Sequence, residues 1–296
     1  MSAERMSEPH PGITEHTFHA ENLALNYAEG LPNGAPLVLL HGLGRRWQVF
    51  LPLIPALSLR WHIFAVDLRG HGKSARVPRG YRGSEYGEDV ARLLRECVAG
   101  PAVIFGHSLG GMLGMWLACR HPELVRALIL GDNTIVTGRS HRNPMYTALF
   151  AGLRDVARRG GSLETVAQGI GKIVLPVPGT DESVSIHELP GNDEAYLLSW
   201  ARCVQQADPE VYDMTLDGSA LEGWDGETLL RGISCPTLLL QANPQLGGLM
   251  SDADVSLATR LLAHHTHVRF RNLGHALFIQ QPEPVLRAVT NFLESL

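Results

Sequence analysis

Short apolar runs alternate along the chain with longer stretches in which apolar residues return every third or fourth position. The runs predict strands at Phe18–His19, Leu23–Tyr27, Leu37–Leu40, His62–Val66, Ala102–Phe105, Arg126–Leu130, Thr237–Gln241 and His267–Arg271. Helical patterns lie between them, at Trp47–Ala56, Glu85–Cys97, Leu109–His121, Ser251–Leu262 and Glu283–Leu296. Strand–helix alternation of this kind belongs to a mainly parallel sheet with helices on both faces, here opening with a hairpin of the first two strands.

The alternation stops between Asp132 and about Arg231. That interval holds helical patterns at Met145–Arg159, Leu163–Ile173 and Asp193–Gln206, loops rich in Gly and Pro around Pro176–Gly179 and Gly191, and no strand pattern. A helical insertion between two strands of a parallel sheet lies over the sheet's C-terminal edge, where α/β proteins keep their sites. The expected division is a polar tail at 1–16, an α/β core at 17–133 and 232–296, and a helical lid, or cap, at 134–231. A single domain carrying an insertion accommodates 296 residues.

Composition narrows the partners. Apolar residues make up 45% of the chain, enough for a large core, and the formal net charge of −5 with no basic cluster argues against nucleic acid or an anionic membrane. No apolar run is long enough to span a bilayer, and the first ten residues lack the apolar region of a secretory signal. The cysteines, Cys97, Cys119, Cys203 and Cys235, have neither metal-site nor disulfide-framework spacing. A reduced, cytoplasmic small enzyme is the expectation.

The chemistry concentrates in Val103-Ile104-Phe105-Gly106-His107-Ser108-Leu109-Gly110-Gly111. A buried run ends in Gly-x-Ser-x-Gly and passes straight into a helix, the strand–turn–helix context of a nucleophile elbow. The helix beginning at Ser108 would aim its positive end and a free N–H at an oxyanion formed there. A serine nucleophile needs a base within reach. His275, in Leu273-Gly274-His275-Ala276 after the last strand, can deliver an imidazole to the same sheet edge. The second oxyanion donor is expected in His41-Gly42-Leu43-Gly44, also after a strand, so the N–H groups of Leu43 and Leu109 are the candidate pair.

His41–Gly44, Asp67–Ser74, Gly106–Gly111 and Gly274-His275, in that order, resemble the α/β-hydrolase fold family over nearly the whole chain from Thr17 to Leu296. The resemblance implies an eight-stranded, mostly parallel sheet, a lid after strand six, and a Ser-His-acid triad. It makes Gly70-His71-Gly72-Lys73-Ser74 a structural turn rather than a phosphate-binding loop, whose opening glycine is replaced by Asp67. His264, His265 and His267 lack the acidic or cysteine partner that a metal site requires.

The acid departs from the family pattern. Its usual place follows strand seven, and Asn243 stands there; an amide at that place in a serine protease costs ~10⁴ in turnover. Three readings stay open: Asn243 as a weakened triad member, Asp132 after strand six as its replacement, or Asp252 or Asp254 reaching back. Asn243 is the aligned position and Asp132 the leading alternative.

The leading function is a serine hydrolase that cleaves a small-molecule carboxylic ester or lactone through an acyl-enzyme, with no cofactor or metal. His41, Met145, Tyr146, Phe150, Trp200 and Trp224 are candidate pocket residues. The lid and the Leu-Gly-Gly segment after strand seven are similar to those of esterases that open macrolide lactones. The alternatives are a carbon–carbon bond hydrolase on the same fold and a non-catalytic, hydrolase-like ligand-binding protein.

Overall fold

A computed structural model of the chain describes residues 12–20, 23–136, 143–177, 179–279 and 281–296. Its main sheet has eight strands: β1 (Ile13–Ala20), β2 (Leu23–Gly30), β3 (Pro36–Leu40), β4 (His62–Val66), β5 (Ala102–His107), β6 (Val125–Gly131), β9 (Thr237–Gln241) and β10 (His265–Arg269). Their order across the sheet is β1-β2-β4-β3-β5-β6-β9-β10. β1 and β2 form the expected antiparallel hairpin, β2 joins β4 antiparallel, and all remaining pairs are parallel.

The central strands are apolar throughout because both faces are covered. Their side chains alternate between two cores. Val38, Leu40 and Ile104 face one core with Leu113 and Leu117, whereas Leu37, Leu39, Val103 and Phe105 face the other with Phe50, Val285 and Val289. The helices α2 (Gly83–Cys97) and α3 (Leu109–Arg120) belong to the first side; the short α1 (Ile54–Leu57) and the C-terminal α10 (Pro282–Glu294) belong to the second. In α10, Val285, Val289, Phe292 and Leu293 repeat at helical spacing and supply its buried stripe.

Several boundaries move. β1 begins at Ile13, so the polar tail is shorter than 1–16, and residues 1–11 of that expected tail lie outside the described residues. The last strand lies two residues earlier than its apolar pattern suggests, because the exposed His265 pairs with Thr237 at the sheet edge. The segment expected as one helix at Trp47–Ala56 is a 3₁₀ turn at Trp47–Phe50 followed by α1.

Between β6 and β9 the chain forms α4 (Pro144–Arg159), α5 (Leu163–Gly171), α6 (Glu194–Gln206), α7 (Glu210–Leu216) and α8 (Gly226–Gly232). A two-stranded ribbon of β7 (Val174–Pro176) and β8 (Ser183–Ser185) interrupts them, where no strand is expected from the sequence. α9 (Asp252–Leu261) follows β9. Among the described residues no helix is long and apolar enough to cross a membrane.

Candidate active site

The parallel strands β3, β5, β6 and β9 and the loop after β10 bring every candidate group to one sheet edge, their C-terminal end. Ser108 follows β5 directly and holds the N-cap position of α3 with φ 54° and ψ −117°, a backbone conformation that L-residues pay to adopt and that functional sites retain. Its own N–H donates to Gly131 O at 2.9 Å, and Gly110 N–H donates to His41 O at 3.1 Å, tying the elbow to β6 and to the turn after β3. The flanking glycines are sterically required. A Cβ at Gly106 would lie 2.0 Å from Gly110 O, and one at Gly110 would lie 2.1 Å from Leu40 O.

Leu109 is the first residue of α3, so its N–H has no carbonyl of its own helix to bond. Leu43 N–H likewise has no acceptor among the described residues. Two buried imidazoles hold the turn that carries it. His71 Nε2 accepts Gly44 N–H at 3.0 Å while its Nδ1–H donates to Arg69 O at 2.8 Å, and His41 Nε2 accepts Leu68 N–H at 3.1 Å. Burial keeps both rings neutral: it drives His71 down to about 4 and His41 well below the usual histidine range, with the neighbouring His71 adding to the effect. Asp67 serves the same frame. Its carboxylate accepts Trp47 N–H at 2.7 Å and Lys73 N–H at 3.1 Å, so the 70–74 segment is wrapped round a buried acid as a turn.

His275 lies in the loop after β10, and the structure brings Asp132 to it, not Asn243. His275 Nδ1 is 2.7 Å from Asp132 Oδ2. Asp132 is completely buried one residue beyond β6, at φ 49°. Besides the imidazole, its oxygens accept three backbone N–H groups: Ala242 at 3.0 Å and Met250 at 3.2 Å on Oδ1, and Leu249 at 2.8 Å on Oδ2. Asn243 has other partners. Its amide donates to Arg271 O at 2.7 Å and its carbonyl caps the following 3₁₀ turn through Gln245 N–H at 3.0 Å. The expectation that position 243 faces His275 is therefore corrected: the residue is committed to holding two loops together. Asp252 and Asp254 are engaged elsewhere, Asp252 with Gln241 and Arg269, and Asp254 in the capping box of α9.

Two further neighbours of His275 stand out, and of these only Tyr146 is a candidate, for the pocket, from the sequence. His107, between Gly106 and Ser108, is buried and bonds His275 O through Nε2 at 2.8 Å, with the two rings 4.8 Å apart. Burial, and next the adjacent His275, push its pKa well down, so Nε2 carries the donated proton of a neutral ring. Tyr146, at the start of α4, sets its ring edge-on to His275 at 5.7 Å and donates its hydroxyl to Gly247 O at 2.5 Å. No residue-type rule marks His107, because a histidine inside the elbow has an ordinary packing role.

A cavity of about 90 Å³ opens beside Ser108. Its wall includes Leu43 and Leu109 from the elbow region, Tyr86 from α2, and Tyr146, Phe150 and Val211 from the inserted helices. Of the six pocket candidates Tyr146 and Phe150 lie in this wall, whereas Trp224 does not. Met145 stays outside it and packs near Gly247. His41 is fully buried beneath the turn it supports, and Trp200 lies under the Arg45 guanidinium, whose centre is 4.0 Å from its ring.

Known proteins agree with this architecture. The chain is 39% identical over 263 residues to a pimeloyl-[acyl-carrier protein] methyl ester esterase of Neisseria meningitidis, covering 86% of this chain and 92% of that one. It is 38% identical over 102 residues to a 2-(acetamidomethylene)succinate hydrolase of Mesorhizobium japonicum, a match spanning only 34% of this chain and 37% of the relative. Among solved structures, an esterase from Thermogutta terrifontis superposes with a TM-score of 0.71 over 96% of this chain and 98% of that one, at 22% identity. The family model for the alpha/beta hydrolase fold matches residues 35–282, from the start of β3 to the start of α10. With the sheet order, the elbow and that match in agreement, the chain belongs to the α/β-hydrolase fold family, and the curated relatives named above are hydrolases.

Proposed function

We propose that the protein is a serine hydrolase that cleaves a carboxylic ester or lactone. The observation that carries the proposal is the Asp132–His275 contact: a buried carboxyl group stands 2.7 Å from Nδ1 of the imidazole, an arrangement that supports Nε2 as the proton acceptor for Ser108. In this reading Nε2 takes the proton of Ser108 Oγ as the oxygen attacks the ester carbonyl. The N–H groups of Leu43 and Leu109 bind the oxyanion of the tetrahedral intermediate. His275 then returns the proton to the departing alkoxide, leaving an acyl-Ser108. Water attacks that acyl group with His275 as base, and the acid product leaves with Ser108 restored. In the same reading Asp132 orients the imidazole and fixes its tautomer.

The inserted helices at 144–232 act as the cap of this site, since Tyr146, Phe150 and Val211 close the cavity over Ser108. The cavity's small volume supports a compact ester or lactone and weighs against a macrolide ring. The non-catalytic alternative rested on Asn243, and it loses that support with Asp132 beside His275. An esterase among the relatives supports the same chemistry. The test is to label the protein with a fluorophosphonate, locate the adduct by mass spectrometry, and assay short-chain esters and lactones. An adduct on Ser108 together with turnover is expected; an adduct elsewhere, or no hydrolysis of any ester or lactone, overturns the proposal.

A further inference from the structure

The wall of the cavity beside Ser108 contains no Asp, Glu, Lys, Arg or His among the described residues. It is built from apolar side chains such as Met112, Phe150, Leu216 and Leu221, with neutral hydroxyls from threonines and tyrosines. Three charged groups near its wall residues are already engaged. Arg69 makes a two-pronged ion pair with the buried Asp89, at 2.5 and 2.6 Å. Asp208 accepts the hydroxyl of Tyr81, a wall residue, at 2.7 Å. Arg45, two residues beyond the candidate oxyanion donor Leu43, is not part of the wall: its guanidinium stacks on Trp200 and donates to Tyr196 Oη at 3.0 Å. The hydroxyl of Tyr86, which has no hydrogen-bond partner among the described residues, belongs to a phenol that burial keeps neutral.

From this arrangement we infer that the acyl group entering the cavity is uncharged and apolar, with a size of about four carbons, and that carboxylate-bearing acyl groups are rejected. The inference rests on the serine-hydrolase reading and narrows its substrate class. An ionised carboxylate placed against this wall gives up its water and meets no cation, a cost that buried charges escape only by pairing. The size follows from volume, since an engineered apolar cavity of about 150 Å³ is known to hold benzene and this one is smaller. The succinate derivative in the name of the Mesorhizobium relative belongs to a class that this cavity would exclude.

The test uses the unmodified protein and two methyl esters of nearly identical shape, methyl isovalerate and monomethyl malonate, in which an isopropyl group and a carboxylate are exchanged. With each rate divided by that ester's hydroxide-catalysed rate, kcat/KM should favour isovalerate by at least about 10²-fold. Equal values, or a preference for malonate, overturn the inference while leaving the hydrolase reading intact, provided Ser108 takes a fluorophosphonate label. Cleavage of neither ester, with Ser108 unlabelled, removes both. A second measurement follows chain length. Among straight-chain methyl esters kcat/KM should peak at about four carbons, and Phe150→Ala, which opens the wall away from the triad, should move the peak to longer chains. An unmoved peak in a folded Phe150→Ala protein overturns the assignment of this cavity to the acyl group.

Discussion

Replacing Asp132 by asparagine should almost abolish turnover while leaving a folded protein, and the hydrogen bonds around the carboxylate say why. The wild-type oxygens accept four donors, Ala242 and Met250 N–H on Oδ1, and Leu249 N–H and His275 Nδ1–H on Oδ2. An amide offers one acceptor oxygen and two donors of its own. With its oxygen turned towards Ala242 and Met250, the amide nitrogen faces Leu249 N–H, which loses its partner, and His275, which can adapt by moving its proton to Nε2. Turned the other way, it orphans both Ala242 and Met250. The first orientation is favoured by one buried donor, about 1–3 kcal/mol. It is also the catalytically wrong one, because Nε2 then carries a proton and cannot accept another from Ser108. The expected loss in kcat is ~10⁴, with a stability loss of about 1–3 kcal/mol from Leu249. Burst and steady-state hydrolysis of a chromogenic ester, beside urea unfolding, measures both. Asn243→Asp on this background should rescue nothing, since residue 243 points at Arg271 O and Gln245 N–H. Turnover of Asp132→Asn within tenfold of wild type, or restoration by Asn243→Asp, would refute the assignment.

Ser108→Ala and His275→Ala should each lose on the order of 10⁶ in kcat, with unchanged circular dichroism; residual activity near that of wild type removes the residue from the mechanism. Asn243→Asp alone should lower stability by about 1–3 kcal/mol, because a carboxylate replaces the amide that donates to Arg271 O, and should leave kcat within a few-fold; a gain in kcat contradicts the geometry. Stability should fall as the pH drops from about 6.5 towards 4. His71 is held at about 4, so the unfolded chain binds its proton first, and this residue alone withdraws on the order of 3 kcal/mol across that window; His41 and His107, also pushed down, act in the same direction. Urea midpoints that stay flat between pH 7 and 5 would rule this out.

The parts of the site legible in the sequence are those that depend on residue type and local spacing. Gly106 and Gly110 announce a turn that no side chain fits, and a histidine after the last strand has few other reasons to follow Gly274. The acid was not legible in that way, because both Asn243 and Asp132 follow strands at the correct sheet edge. Between them the decision is made by where the N–H groups of Ala242, Leu249 and Met250 converge, and backbone donors leave no letter in a sequence. The fold shows the same division. Long periodic helices such as Pro144–Arg159 were visible, whereas Glu210–Leu216 and Gly226–Gly232 are too short for a helical period to register. The ribbon of Val174–Pro176 with Ser183–Ser185 pairs three residues on each side, below what alternation can signal.

The hydroxyl of Tyr146 bears on how such enzymes diverge. It crosses from the first inserted helix to Gly247 O, in the same loop whose Leu249 and Met250 N–H groups grip Asp132. The insertion is therefore not an interchangeable module. A chimera that imports the helices of another member without a donor at this point leaves Gly247 O unanswered and loosens the loop that steadies the acid. On the proposed mechanism, recombination at the insertion's ends would alter turnover as well as selectivity unless the 242–250 loop were exchanged with it.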